Sequence, residues 1–332
     1  MNRRHLALCA CVLALPLAAC GRDPFLSALP GAEDVSIRVP ESAGQALSLG
    51  ERSEFYETTR NVSRGINGGI AGVFGLMDLI VQHPPTVREE NVRVWGPSEP
   101  RGLEDTSYKF TVELTGENEY SYKLEGKPKG SEDDAFVVIW DGVAYPGEDN
   151  VGTGVLNLHF SNARALKPSD CTVGDAEVTY DATNPERRTV DVAFDGVANA
   201  CNDEAPTIAT YHYSEASDGS GDFQFSANGN IHKAEEQKPL IETLTINSRW
   251  LATGAGRSDV VISGGEVPSD LMTYLPDSDA TSVRATECWD DAFALTFSDT
   301  DPEELREHIR ELQGDESACP FTDAAYPEAP QS

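Results

Sequence analysis

From residue 92 to about residue 300 the chain keeps returning to one pattern, apolar and polar residues in alternation, interrupted by short turns. Tyr108, Phe110, Val112 and Leu114 alternate with Lys109, Thr111 and Glu113; after Gly116-Glu117-Asn118 the alternation resumes at Tyr120, Tyr122 and Leu124. A period of two puts successive side chains on opposite faces of a strand, and turns this short leave no room for a crossover, so neighbours must be antiparallel. Centring the first hairpin on Glu117 faces Leu114 with Tyr120, Val112 with Tyr122 and Lys109 with Glu125. Further strands are expected at 135–142, 154–160, 208–214, 222–231, 241–252, 257–263, 282–289 and 292–298. "AFVVIWDG" (135–142) is apolar on both faces, as a central strand should be. The spacing is too irregular for a propeller or solenoid. The expected fold is therefore mainly β: an antiparallel meander forming one large curved sheet or open half-barrel.

One long segment has a different period. In residues 53–82, Phe55, Val62, Ile66, Ile70, Val73, Met77 and Ile80 recur at three, four and seven, which marks the apolar face of a helix ended by His83-Pro84-Pro85. Gly65, Gly68, Gly69, Gly72 and Gly75 each cost about 1 kcal/mol in a helix interior. Their small-xxx-small spacing suggests that another backbone comes close. The expectation is burial against the sheet rather than a membrane span, because Asn67 and Asp78 interrupt the run. Ile66, Gly68, Ile70, Gly72, Val73, Met77 and Ile80 are then the candidate packing or ligand-facing residues. A second helix is expected over 302–313, from Asp301 as N-cap, Pro302 at N1 and Gly314 at its end.

Cysteine places the chain. Four cysteines stand in its body, Cys171, Cys201, Cys288 and Cys319. Centring the hairpin around Asn184-Pro185-Glu186-Arg187 on Glu186 faces Val178 with Phe194, Tyr180 with Val192 and Cys171 with Cys201, leaving Cys288 for Cys319. No two have the short spacing of a zinc knuckle. Disulfides imply an oxidising compartment. The first twenty residues agree with export: Arg3 and Arg4, an apolar stretch from Leu6 to Leu17, then small residues and Cys20, too short to remain as a span. Leu17-Ala18-Ala19-Cys20 resembles the bacterial lipobox. That resemblance implies cleavage after residue 19, diacylglycerol on the Cys20 thiol and an acylated (palmitate-type) amino terminus. Gly21, where an inner-membrane retention signal would have Asp, implies the outer membrane. Residues 20–50, rich in Pro, Ala, Gly and Ser, read as a lipidated tether, residues 51–320 as a single β domain, and 321–332 as a disordered tail.

The chain carries a net charge of −31, and losing Arg3 and Arg4 with the leader makes it two units more negative. Such acidity excludes nucleic acid as a partner and disfavours anionic head groups. The bilayer is then met through the acylated Cys20.

The residues that draw attention as sites each have a structural explanation. No His-x-x-x-His pair exists for zinc, and His212 and His232 do not converge across the turn at Gly219. Asp218, Ser220 and Asp222 begin like a calcium loop, but Phe223 stands where glycine is needed. Asp299, Asp301, Glu303 and Glu304 suit a helix start. Centring the hairpin at Thr253-Gly254-Ala255-Gly256 on Gly254 pairs Ile246 with Ile262 and Arg249 with Asp259, with Trp250 on the core side. No catalytic residue, metal ligand or cofactor site is assigned.

The order of tether, apolar helix and antiparallel meander resembles the open half-barrels of lipoprotein-carrier (Lol-type) and mycobacterial lipid-binding lipoproteins over roughly residues 53 to 300, in architecture only. "SRWLATGAGRSDVVISGG" (248–265) with "ATECWD" (285–290) is similar to lipoproteins of predatory and social soil or marine bacteria, a family of unknown function, and implies no active site. The functional expectation is a non-enzymatic envelope scaffold or binding protein, with a carrier of a hydrophobic ligand as the alternative and a hydrolase third. An empty apolar hollow between the helix and the sheet would favour the carrier; a filled one, with an exposed apolar patch elsewhere, would favour a scaffold with a protein partner.

Overall fold

The structure is a computed structural model that describes residues 23–41, 51–98, 105–147, 152–202, 206–229, 240–275 and 279–326. Fifteen described strands form one antiparallel meander in strict sequence order, and the sheet does not close on itself. They are β1 (Val87–Arg88), β2 (Val92–Trp95), β3 (Thr106–Gly116), β4 (Glu119–Pro128), β5 (Val137–Pro146), β6 (Gly152–His159), β7 (Thr172–Asp181) and β8 (Arg187–Asn199). The series continues with β9 (Thr207–Ala216), β10 (Gly221–Gly229), β11 (Glu242–Trp250), β12 (Gly256–Gly264), β13 (Ser282–Trp289), β14 (Leu295–Asp301) and β15 (Gln313–Gly314). Both outermost strands are only two residues long, which leaves little free edge for another chain to extend.

Helices α1 (Pro24–Ser27), α2 (Ala32–Val35) and α3 (Glu54–Val81) cover one face of the sheet, the inner face. The Ser53 hydroxyl accepts from the Tyr56 amide and starts α3. At that end Ser53 Oγ donates to Glu287 on β13 (2.7 Å), and beyond the other end Trp95 Nε1 on β2 donates to the His83 carbonyl (2.7 Å). A helix of 28 residues is about 42 Å long, whereas the strands from β2 to β13 cover roughly 50 Å of sheet. The sheet must bow around the helix to touch both its ends. Ile70, Phe74 and Met77 are buried against Phe110, Tyr122, Trp140 and their neighbours, and Ile66, Val73 and Ile80 pack half-buried beside them. Gly142 and Gly154 make room for tyrosine rings on this face: an added Cβ would fall 2.5 Å from Tyr122 Oη and 2.6 Å from Tyr180 Oη, respectively.

Several expectations need correction. Residues 23–41 are not a tether. Phe25, Ala28, Val35 and Ile37 are buried in the core, Asn67 on α3 hydrogen-bonds both the amide and the carbonyl of Ile37, and Asp23 pairs with Arg93. The apolar residues there lack a period because short turns, not a long helix, carry them. The α3 glycines do not admit the sheet either. Gly68 and Gly72 lie roughly 200° around the helix from Ile70 and Phe74, and a Cβ at either would meet no atom within 4 Å. The helix expected over 302–313 is a single 3-10 turn at Glu303–Leu305. Beyond it Ser298 and Thr300 hydroxyls donate to the carbonyls of Glu311 and Arg310, sheet contacts that replace helical ones. Residues 321–326 of the expected loose tail lie across the outer face of β11–β13, and 327–332 lie outside the described residues.

Register was right in parity and sometimes wrong by two. Leu114 faces Tyr120 and Lys109 faces Glu125 as expected. Tyr180 faces Val190 rather than Val192, and Ile246 faces Val260 rather than Ile262. A slip of two keeps every side chain on its face, so the apolar pattern alone does not detect it. A bulge between Val173 and Asp175 shifts the register back by one, which sets Cys171 beside Ala200, and the disulfide joins it to the next residue, Cys201; Cys288 is joined to Cys319. Helices α4 (Phe160–Leu166) and α5 (Val267–Tyr274) were not anticipated.

Candidate functional site

Three places bring chemistry-bearing side chains together. The first is an apolar groove of about 540 Å³ where the end of α3 meets β2 and β3, walled by Leu76, Ile80, Pro84, Trp95, Tyr108 and Phe110. Period-two alternation puts Trp95 and Phe110 directly opposite each other on the inner face, and the proline pair after α3 turns the chain away before the groove is filled. Leu76 and Leu79 are exposed beside it, and Val87, paired with Val94, is exposed on the other face of the sheet.

The second is the outer face of β5–β10. His159 sits between Asp141 (Nε2, 2.9 Å) and Asp175 (Nδ1, 2.8 Å), and His212 meets Asp191 (2.6 Å). Partial burial works to lower the His159 pKa, but the two carboxylate bonds outweigh it and raise it above the ordinary value. The His212 pKa is raised by its bond to Asp191 against a smaller burial effect. Glu177, Asp191 and His212 border a depression of about 440 Å³. These are ion pairs between neighbouring strands, and among the described residues no group of three or more His, Cys, Asp or Glu could hold a metal ion.

The third is a buried polar seam on the inner face of β11–β13. Thr59 Oγ1 and Ser248 Oγ are 2.6 Å apart, Ser248 bonds Ser258, and fully buried Glu287 receives Ser53 Oγ and the Phe55 amide (3.0 Å). Burial pushes the Glu287 carboxyl up against those two bonds and Arg310, whose Nε lies 2.7 Å from its other oxygen. A carboxylate at the first turn of a helix satisfies amides that have no helical partner, so this seam anchors α3.

The residues marked in the sequence divide. Ile70 and Met77 are buried, Ile66, Val73 and Ile80 pack around them, and Gly68 and Gly72 face away into open space. Arg249 opposes Arg257 in register yet still reaches Asp259 diagonally (3.0 Å), and Trp250 is in the core. Cys20 and His232 lie outside the described residues. The groove was missed because its walls come from three separate segments, each of which reads locally as core. Comparison with known proteins found no family, no curated relative and no solved structure that matches this chain.

Proposed function

We propose that the chain is a lipid-anchored envelope protein that works by binding or scaffolding rather than by catalysis. One observation carries this over the carrier alternative: the space between α3 and the middle of the sheet is occupied by the chain's own residues. Phe25 packs edge-on against Tyr120 at 5.5 Å, and Val35 and Ile37 are buried with them. A half-barrel that carried acyl chains would need that volume empty. The leader ending at Cys20, the two disulfides and the acidic surface support a location on the outer membrane, facing periplasm or medium. A protein partner in the envelope is the occupant expected for apolar residues exposed away from the anchored end, such as Ile309 and Leu312. Changing Cys20→Ala should move the protein from the membrane to the soluble fraction with its melting temperature unchanged. Sedimentation of that variant with outer membranes would end the proposal.

The groove beside Trp95 supports the carrier as a second reading, confined to one end of the sheet. Native mass spectrometry of the Cys20→Ala protein separates the two: a copurified lipid favours the carrier, and the bare chain mass favours the scaffold.

A further inference from the structure

The described chain begins at Asp23, and Asp23 is not free to wander. Its carboxylate pairs with Arg93 Nε on β2 at 3.0 Å and accepts from the Phe25 amide, and the Arg93 guanidinium lies over the Phe25 ring 4.1 Å from its centre. Cys20 precedes Asp23 by three residues, a span of at most about 10 Å even when fully extended. Trp95, two residues along β2 from Arg93, lines the apolar groove. The same end of the molecule exposes Leu76 and Leu79 (62% exposed).

We infer that this end of the molecule, the groove with Leu76 and Leu79 on α3, docks on the bilayer surface and takes up hydrocarbon, held there by a leash too short to let it leave. The inference rests on the lipid anchor proposed above. A long tether would allow the domain any orientation. A leash of three residues, fixed to β2, selects one. Exposed leucines at the interface then contribute the transfer of their own apolar surface, and the acyl chains on Cys20 make that transfer intramolecular.

The test uses the full lipidated protein in phosphatidylcholine vesicles, with an environment-sensitive NBD label on Leu79→Cys and, separately, on Met272→Cys. Met272 is equally exposed (63%) but lies on α5, beside β12 and β13 at the opposite end of the strand order. The label at 79 should brighten several-fold and shift to the blue on vesicles, and the label at 272 should not. Intact mass of the same sample reads the lipid independently. A lipidated, vesicle-bound protein whose label at 79 still reports water overturns the docking and leaves the anchor standing, as does equal brightening at 272. A chain found without lipid overturns the anchor, and the docking with it.

Discussion

In strands β3 to β10 the inner face carries Phe110, Tyr122, Trp140, Val178, Tyr211 and Phe223, all buried, and the outer face carries Lys123, Asp141, Glu177, Asp191 and His212, in contact with water. In β11 to β13 both faces are covered, and both contain buried polar residues. The inner face holds Ser248, Ser258 and Glu287 under the start of α3. On the outer face Asp259, fully buried, accepts from Arg249, Arg257, Thr286 and the Ala325 amide. Arg257, 2% exposed, also donates to Glu316 and to the Phe321 carbonyl. One half of the sheet is held by apolar area, which tolerates small errors. The other half is held by charges whose partners must all be present.

The largest effect should therefore come from Asp259→Ala. It strands two arginines and an amide under the C-terminal segment, and breaking a buried pair from one side costs about 3–5 kcal/mol. Lys123→Ala, an exposed lysine on the other half whose partner Glu125 keeps Lys109 at 3.0 Å, should change stability by no more than about 0.5 kcal/mol. Urea midpoints of the two variants measure the contrast; equal midpoints would remove it.

That contrast also governs how much of the molecule was legible in its sequence. The strands of β3 to β10, their faces and the hairpin at Glu117 follow from alternation, because there polar means wet. In "RSDVVIS" the same rule sends Arg257 and Asp259 to solvent, and they are among the least exposed residues in the chain. Their burial depends on residues 316–325, some 60 positions away, and composition alone makes the part from 321 onward look like a loose tail. Likewise Phe25, Val35 and Ile37 fill the core from two short turns that have no period to detect. The groove at Trp95 exists only where three distant segments end together.

The disulfides sharpen the comparison next. Cys171–Cys201 and Cys288–Cys319 close loops of nearly equal length, with separations of 30 and 31. Chain entropy alone gives each about 3–4 kcal/mol. Cys171–Cys201 lies at the rim of the wet half, whereas Cys288 and Cys319 are buried with Phe297 and hold down the segment that covers Arg257. Cys288→Ala with Cys319→Ala should cost more than the matching pair at 171 and 201, measured as the difference in unfolding free energy. Equal losses would mean that the covering segment stays in place without its bond.

Glycine gives a smaller test with opposite signs. Gly142→Ala would drive its methyl into the Val155 carbonyl as well as the Tyr122 ring and should destabilise by about 1–3 kcal/mol. Gly68→Ala with Gly72→Ala meets open space and improves helix propensity, so it should stabilise by up to about 1 kcal/mol per site, a rise of a few degrees in Tm. A fall in Tm for the helix pair would show that something unseen packs on that face.

The smallest effect belongs to the histidines of the wet half. His159 and His212 both have pKa values raised above about 6.5 in the folded protein. A raised base binds its proton more tightly when folded, so its contribution is full below the unfolded pKa and is lost as pH rises through the folded one. Stability should thus decline gently from about pH 6 upward through the folded pKa values. The side chains are 31% and 38% exposed, so solvent screening limits each to about 0.5 kcal/mol or less. Asp141 and Asp175 face His159; Asp191, Asp222 and Arg187 face His212, the arginine opposing the effect. The double change His159→Gln with His212→Gln should flatten the pH dependence of the urea midpoint between pH 6 and 8.5. Raising the salt to 0.5 M should flatten the wild type in the same way, because ions screen an exposed pair far better than they reach Asp259. A slope that survives both changes would have to come from the buried half.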